Sequence, residues 1–169
     1  MAKPTWDQYF DNIRQEVSKR SPDTRTKVGC VMVGPDKEIR MTGYNGFVDG
    51  IEERPERLHE NEKLFWTSHA EEGSIALAVK LGVSLNNCVC YVGRCPCHRC
   101  MRQTLIAGIK EFVVDDTKIP NRWKESCYYG LYMLLEKKGI IRLVNDDTNR
   151  AASMFAECKR FLDKKNEKS

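Results

Sequence analysis

Two short motifs, set one helix and one strand apart, constrain this chain more than any other feature. His69-Ala70-Glu71 is followed by Pro96-Cys97-His98-Arg99-Cys100, so an imidazole, a carboxylate and two thiols lie within residues 68–100. Helical spacing runs from His69 through Ile75, Leu77, Ala78 and Leu81 and stops at Gly82, a usual C-terminal cap. Residues 88–92 are strand-like, and Pro96 opens a second helix that ends by Gly108. Each motif therefore sits at the start of a helix, on either side of a strand.

The rest of the chain repeats that alternation. Trp6, Phe10, Ile13 and Val17 fall on one face of an opening helix, which Ser21-Pro22-Asp23 breaks. Residues 28–33 and 38–42, separated by the turn-like Gly34-Pro35-Asp36-Lys37, read as a hairpin. Residues 49–63 are charged and without clear period, a loop with at most one helical turn. A strand at 112–114, a polar connection at 115–125, a helix at 126–138, a strand at 140–144 and a helix at 148–162 follow. The order α, β, β, α, β, α, β, α, β, α predicts an α/β fold. It has one mixed five-stranded sheet, an antiparallel hairpin followed by parallel strands, with helices on both faces. At 169 residues the chain is read as a single domain, residues 1–169.

Cys97 and Cys100, three apart at a helix start, share one face, and the helix's amide hydrogens and positive dipole end favour thiolate. With His69 they make three zinc ligands, leaving the fourth tetrahedral position to water, as in a catalytic rather than a closed structural site. One Zn2+ per subunit is expected. Glu71 is then available as a general acid/base beside it. His69 and Glu71, two apart, do not share a helix face, so both reach one metal only near the helix end. The ends of two helices that follow neighbouring parallel strands would supply such a place. Blander readings stand beside this one. Ser68 and Glu71 also have capping-box spacing, and a C-x-x-C alone could be a redox pair or half a structural site. Cys95 and His98 are read as non-ligands.

Eight cysteines without a signal peptide argue for metal ligands in a reducing, cytoplasmic setting rather than for a disulfide framework. No apolar run nears the ~18 residues of a membrane span. The net charge of +4 is dispersed. It forms no stripe that would track nucleic acid, and it is compatible with a small phosphorylated substrate. The Lys-rich end reads as a solvated helix face and tail.

H-x-E followed by P-C-x-x-C is the pattern of zinc nucleobase deaminases. With VGCVMV, TGYNG, SHAEEGSIA and PCHRC in that order, residues 6–144 resemble the deoxycytidylate deaminase branch of the cytidine deaminase superfamily. The resemblance implies an α/β/α sandwich and hydrolytic deamination of dCMP to dUMP with release of ammonia, Glu71 carrying the proton. It implies that Asn45 contacts the sugar, with Gly43, Tyr44, Gly46 and Ala70 around the substrate, and that Arg25 helps to hold the 5'-phosphate. It further implies a homo-oligomer, frequently a hexamer, with nucleotide triphosphates such as dCTP and dTTP as regulators. One departure bears on substrate choice: two residues beyond Glu71 the family commonly has Asn, and this chain has Gly73. Relatives with a second zinc site carry extra cysteines before the catalytic helix, and no Cys lies between Cys30 and Cys88 here. Trp66, Trp123, Tyr128 and Tyr129 are candidates for a flat wall against the base. The same chemistry on a modified deoxycytidylate, a nucleoside, a triphosphate or another base is the alternative, and a non-catalytic zinc-stabilised regulatory subunit is a reading of another class.

Overall fold

The computed structural model describes residues 2–59, 61–116, 118–146 and 151–167. It begins with α1 (Trp6–Lys19), started by Thr5, whose hydroxyl accepts the Gln8 N–H at 3.1 Å. Then come β1 (Gly29–Val33) and β2 (Ile39–Tyr44), followed by the two-residue strand β3 (Gly46–Phe47). A 3-10 turn at Pro55–Leu58 and the short helix α2 (Lys63–Trp66) lead into β4 (Thr67–Ser68), which pairs with β3. The main helices and strands are α3 (Ala70–Leu81), β5 (Val89–Val92), α4 (His98–Ile106), β6 (Glu111–Val114), α5 (Lys124–Glu136), β7 (Ile140–Leu143) and α6 (Ala151–Asn166). The expected order of ten elements is present. The additions are β3, α2 and β4, which flank the segment at 49–63 expected to be a loop, and the 3-10 turn at Pro55–Leu58 is the helical turn inside it. The last helix was expected from Thr148, which lies outside the described residues.

The sheet order is β2-β1-β5-β6-β7. β1 runs antiparallel to both neighbours, while β5, β6 and β7 are parallel to one another. The connection from β2 through α3 to β5 thus crosses over β1, so β2 and β5 end on the same side without touching. The two motif helices were expected to follow neighbouring strands, and β1 lies between them because the hairpin folds its first strand inward.

Alternation along the strands divides the core in two. Val31, Val33, Tyr91 and Val113 pack with Phe10 of α1 on one face. Cys30, Met32, Cys90, Val92, Phe112 and Val114 point the other way, into a larger core with residues of α3, α4, α5 and α6. The result is three layers of unequal thickness. Trp6, expected on the buried face of α1, is 52% exposed and stacks on Phe10 at 5.6 Å. No helix among the described residues is long and apolar enough to cross a membrane.

Candidate metal centre

His69 is the N-cap of α3, with extended backbone (φ −71°, ψ 160°), and Cys97 is the N-cap of α4, with almost the same geometry (φ −70°, ψ 166°). An N-cap side chain folds back over the open end of its helix, close to the residue at N3. Cys100 occupies N3 of α4. The C-x-x-C spacing is therefore the N-cap-to-N3 spacing, and Pro96 stands before the cap rather than at the first helical position, where it was expected. His69, at the cap, reaches the helix axis without sharing a face with Glu71 at N2. That resolves the geometric difficulty posed by their spacing.

The three donor atoms converge. His69 Nδ1 lies 3.6 Å from Cys97 Sγ and 3.3 Å from Cys100 Sγ. The ligand atoms of this group all lie within 4.8 Å of one another. A tetrahedral ion with metal–sulfur bonds of about 2.3 Å and metal–nitrogen bonds of about 2.0 Å spans N···S edges of roughly 3.5 Å. The donor set and its spacing therefore fit zinc. Cys95 and His98 stand outside the group. His98 Nδ1 meets Ser126 Oγ at 2.8 Å, and Cys95 offers its carbonyl oxygen to the Cys127 thiol.

Without an ion the three donors share protons among themselves. The Cys97 thiol is held down at about 3, chiefly by the Cys100 thiol donating to it and then by His69. The same contacts push the Cys100 thiol up and carry His69 to about 9. Glu71 is only 4% exposed, and burial pushes its carboxyl up to about 7 against the pull of the His69 charge. The capping contact that Glu71 might have been spent on belongs to Glu72, whose Oε2 accepts the His69 N–H at 2.9 Å. Glu71 is left facing the cavity.

That cavity, about 480 Å³, is lined by His69, Ala70, Glu71 and Cys97 at its head. Asn45, Thr26, Val28, Asp23 and Lys63 form one wall, and Ile119, Pro120 and Trp123 with Cys127 form another. Of the expected substrate residues, Asn45 and Ala70 line it. Arg25, Gly43, Tyr44 and Gly46 do not. Gly43 instead lets β2 press on α3, since a Cβ there would stand 2.4 Å from Ser74 Oγ and 2.5 Å from the Ala70 carbonyl oxygen. Asn45 is a clamp as well as a lining residue: Oδ1 accepts the Val28 N–H at 2.7 Å and Nδ2 donates to the Thr26 carbonyl at 2.9 Å. Trp123 is the aromatic wall among the four candidates, its ring edge-to-face with His69 at 5.6 Å. Trp66 lies under the Arg57 guanidinium, Tyr128 packs on Phe161 and Tyr129 is 40% exposed.

Lys63, Arg94, Lys118 and Arg122 also line the cavity, and sequence reasoning missed them. Lys63 pairs with Asp23 at 2.6 Å. Arg94, Lys118 and Arg122 come from segments that leave the carboxyl ends of β5 and β6. A signal was available, since loops at the carboxyl ends of parallel strands line ligand sites in α/β folds.

A family model for the cytidine and deoxycytidylate deaminase zinc-binding region matches residues 4–115. The chain belongs to this family. It is 34% identical over 108 residues to a probable deoxycytidylate deaminase of Caenorhabditis elegans, covering 62% of this chain and 54% of that one. It is 31% identical over 119 residues to the human deoxycytidylate deaminase, covering 67% of this chain and 66% of that one. The chain thus spans about half the length of the first relative and just under two thirds of the second. The dCMP deaminase of cyanophage S-TIM5, solved with dCMP and dUMP, superposes with a TM-score of 0.67 at 20% identity, covering 85% of this chain and 99% of that one. The likeness establishes a cytidine deaminase-like fold, and the zinc-binding region of the family coincides with the His-Cys-Cys group.

Proposed function

We propose that the protein deaminates dCMP hydrolytically to dUMP and ammonia. One observation carries the reading: a buried carboxylate, Glu71, stands at the head of a nucleotide-sized cavity beside a three-donor zinc group. His69, Cys97 and Cys100 hold the ion, which when bound supplies a hydroxide nucleophile at neutral pH.

The chain's residues do the rest. Glu71 takes one proton of the attacking water and passes it to the ring nitrogen; it then takes the second from the new hydroxyl on carbon 4 and gives it to the amine as the carbon–nitrogen bond breaks and the carbonyl forms. Burial favours the protonated form of Glu71, the state it needs for the donating half of that task. Trp123, Ile119 and Pro120 offer the flat apolar wall a pyrimidine ring requires and keep bulk water from it. Asn45 keeps a second amide hydrogen and a second lone pair beyond its two backbone contacts, enough to meet a sugar hydroxyl. Arg94 and Lys118 have no ion-pair partner among the described residues, and their position supports them, in place of Arg25, as the phosphate-binding cations.

The RNA-base alternative lacks an extended basic track. A homo-oligomer, a hexamer by resemblance, is proposed in line with the exposed apolar side chains Val79, Leu81 and Ile106 on α3 and α4. Regulation by dCTP and dTTP is proposed from the same resemblance, and a cytoplasmic location from the eight cysteines, which are all free thiols.

The test is ammonia release from dCMP, 5-substituted dCMP, dCTP, deoxycytidine and CMP by zinc-loaded protein, with and without dCTP or dTTP as effectors. dCMP is expected to give the highest kcat/KM. Glu71→Gln is expected to keep zinc and lower kcat by about 10²–10⁴-fold. Zinc retention with full turnover would remove Glu71 from the chemistry, and no release from any substrate would leave the non-catalytic subunit.

A further inference from the structure

Helix starts leave orphan amide hydrogens, and the N-cap and N3 side chains usually meet them. In α4 both of those side chains are committed elsewhere. Cys97 at the N-cap makes no side-chain capping bond, and its sulfur and that of Cys100 at N3 both face His69 Nδ1. α3 meets the same demand within itself, because only its N-cap is a ligand and Glu72 at N3 is available to take the His69 N–H. α4 has no such residue of its own.

Its cap comes from another helix. Ser126 Oγ, in the first turn of α5, accepts the N–H of His98 at 3.3 Å and lies 2.8 Å from His98 Nδ1. One hydroxyl serves both contacts, a lone pair taking the amide hydrogen while the same oxygen meets the ring nitrogen. His98 is the first residue of α4, between the two thiols. The same end of α5 presses on the same loop twice more. The Cys127 thiol donates to the Cys95 carbonyl at 3.6 Å, and Gly130 is close enough that a Cβ would stand 3.3 Å from the Pro96 carbonyl oxygen.

We propose that Ser126 is a positioning residue for the metal centre. By capping α4 from α5 it sets the turn that carries Cys97 and Cys100, so both sulfurs are aimed before the ion arrives. His98, which was read only as a non-ligand, is the handle it holds. The inference rests on the zinc reading and not on the choice of substrate.

The experiment is competition for zinc between the full-length protein and a chromogenic chelator, in wild type, Ser126→Ala, Ser126→Thr, His98→Ala and the Ser126→Ala/His98→Ala double variant. Contacts behind metal ligands are commonly worth about 10–100-fold in affinity, and Ser126→Ala should lose that much. Ser126→Thr, which keeps the hydroxyl, should stay within about threefold of wild type, and the double variant within about twofold of Ser126→Ala, because the two residues act as one unit. Wild-type affinity in Ser126→Ala, even with a lower melting temperature, would reduce the residue to an ordinary cap and overturn the proposal. So would a Ser126→Thr variant as weak as Ser126→Ala. If Ser126→Ala does not fold, His98→Ala decides, with about three- to tenfold weaker zinc expected and unchanged affinity overturning the role. A wild-type protein that binds no zinc would instead overturn the metal centre itself.

Discussion

At Gly73, two residues beyond Glu71 on α3, a Cβ would meet only the Tyr44 carbonyl oxygen, at 3.8 Å. The position has room and an ordinary helical backbone, so glycine there costs helix stability without relieving any crowding. Gly73→Ala should stabilise the protein by about 0.5–1 kcal/mol in urea unfolding, the usual helical penalty of glycine. A loss of stability would mean that the space is needed. The cavity cations make a second prediction. Lys118→Ala or Arg94→Ala should raise KM for dCMP roughly tenfold, the low end for a hydrogen bond to a charged group at an exposed position, and leave KM for deoxycytidine nearly unchanged. Arg25→Ala, away from the cavity, should treat the two substrates alike. Equal effects of Lys118→Ala on nucleotide and nucleoside would exclude it as a phosphate contact.

The element that aims the site is the packing of α3 on β2, which lets His69 and Glu71 meet the thiols of α4. Gly43→Ala would push a methyl group into Ser74 Oγ and the Ala70 carbonyl, one of them backbone that cannot yield without moving the helix. The expected cost is about 1–3 kcal/mol, with zinc affinity and turnover falling together. Thermal melts with chelator titration check it, and normal zinc affinity in a destabilised variant would detach α3's placement from the site. Legibility follows the same elements. The zinc group could be read because each motif is local: N-cap to N3 for the thiols, N-cap to N2 for His69 and Glu71. The strand order could not, because nothing in residues 28–44 says that β1 will lie inside β2. The TGYNG segment suggested a substrate loop. Its first glycine, Gly43, serves helix packing, and of its side chains only Asn45 lines the cavity. Lys118 and Ile119 sat in a stretch with no periodicity, and only the course of β6 toward the cavity gives them a role; Trp123, in the same stretch, was one of four aromatic candidates, and it is the one that lines the cavity.

Across the whole molecule, two carboxylates tie distant parts of the chain together. Asp7 on α1 accepts from the Arg142 guanidinium on β7, from Tyr91 OH on β5 at 2.8 Å and from the Asn145 N–H at 3.1 Å. Asp23 joins residues 21–26 to α2 through Lys63 and through the amides of Arg25 and Thr26. Burial alone would raise both carboxyls, but these donors outweigh it and hold both below the ordinary value of 3.8. A folded value below the unfolded one means that the stabilisation is fully present above about pH 5 and is lost as the pH falls past 3.8 toward the folded value. Asp115 runs the other way, since burial lifts it to about 6 despite Arg14, so its contribution grows as acid protonates it. A single acid melt therefore mixes opposite signs, and zinc release adds to it. The informative quantity is a difference. Asp7→Asn should cost about 1.5–3 kcal/mol at pH 7, the worth of hydrogen bonds to a charged group, and that gap should narrow steadily between pH 5 and pH 3. Urea midpoints of the two proteins, measured with zinc chelated throughout, give it directly. A gap that stayed constant with pH would show that Asp7 acts through shape and neutral hydrogen bonds, and that its charge does not help to hold α1 against the far edge of the sheet.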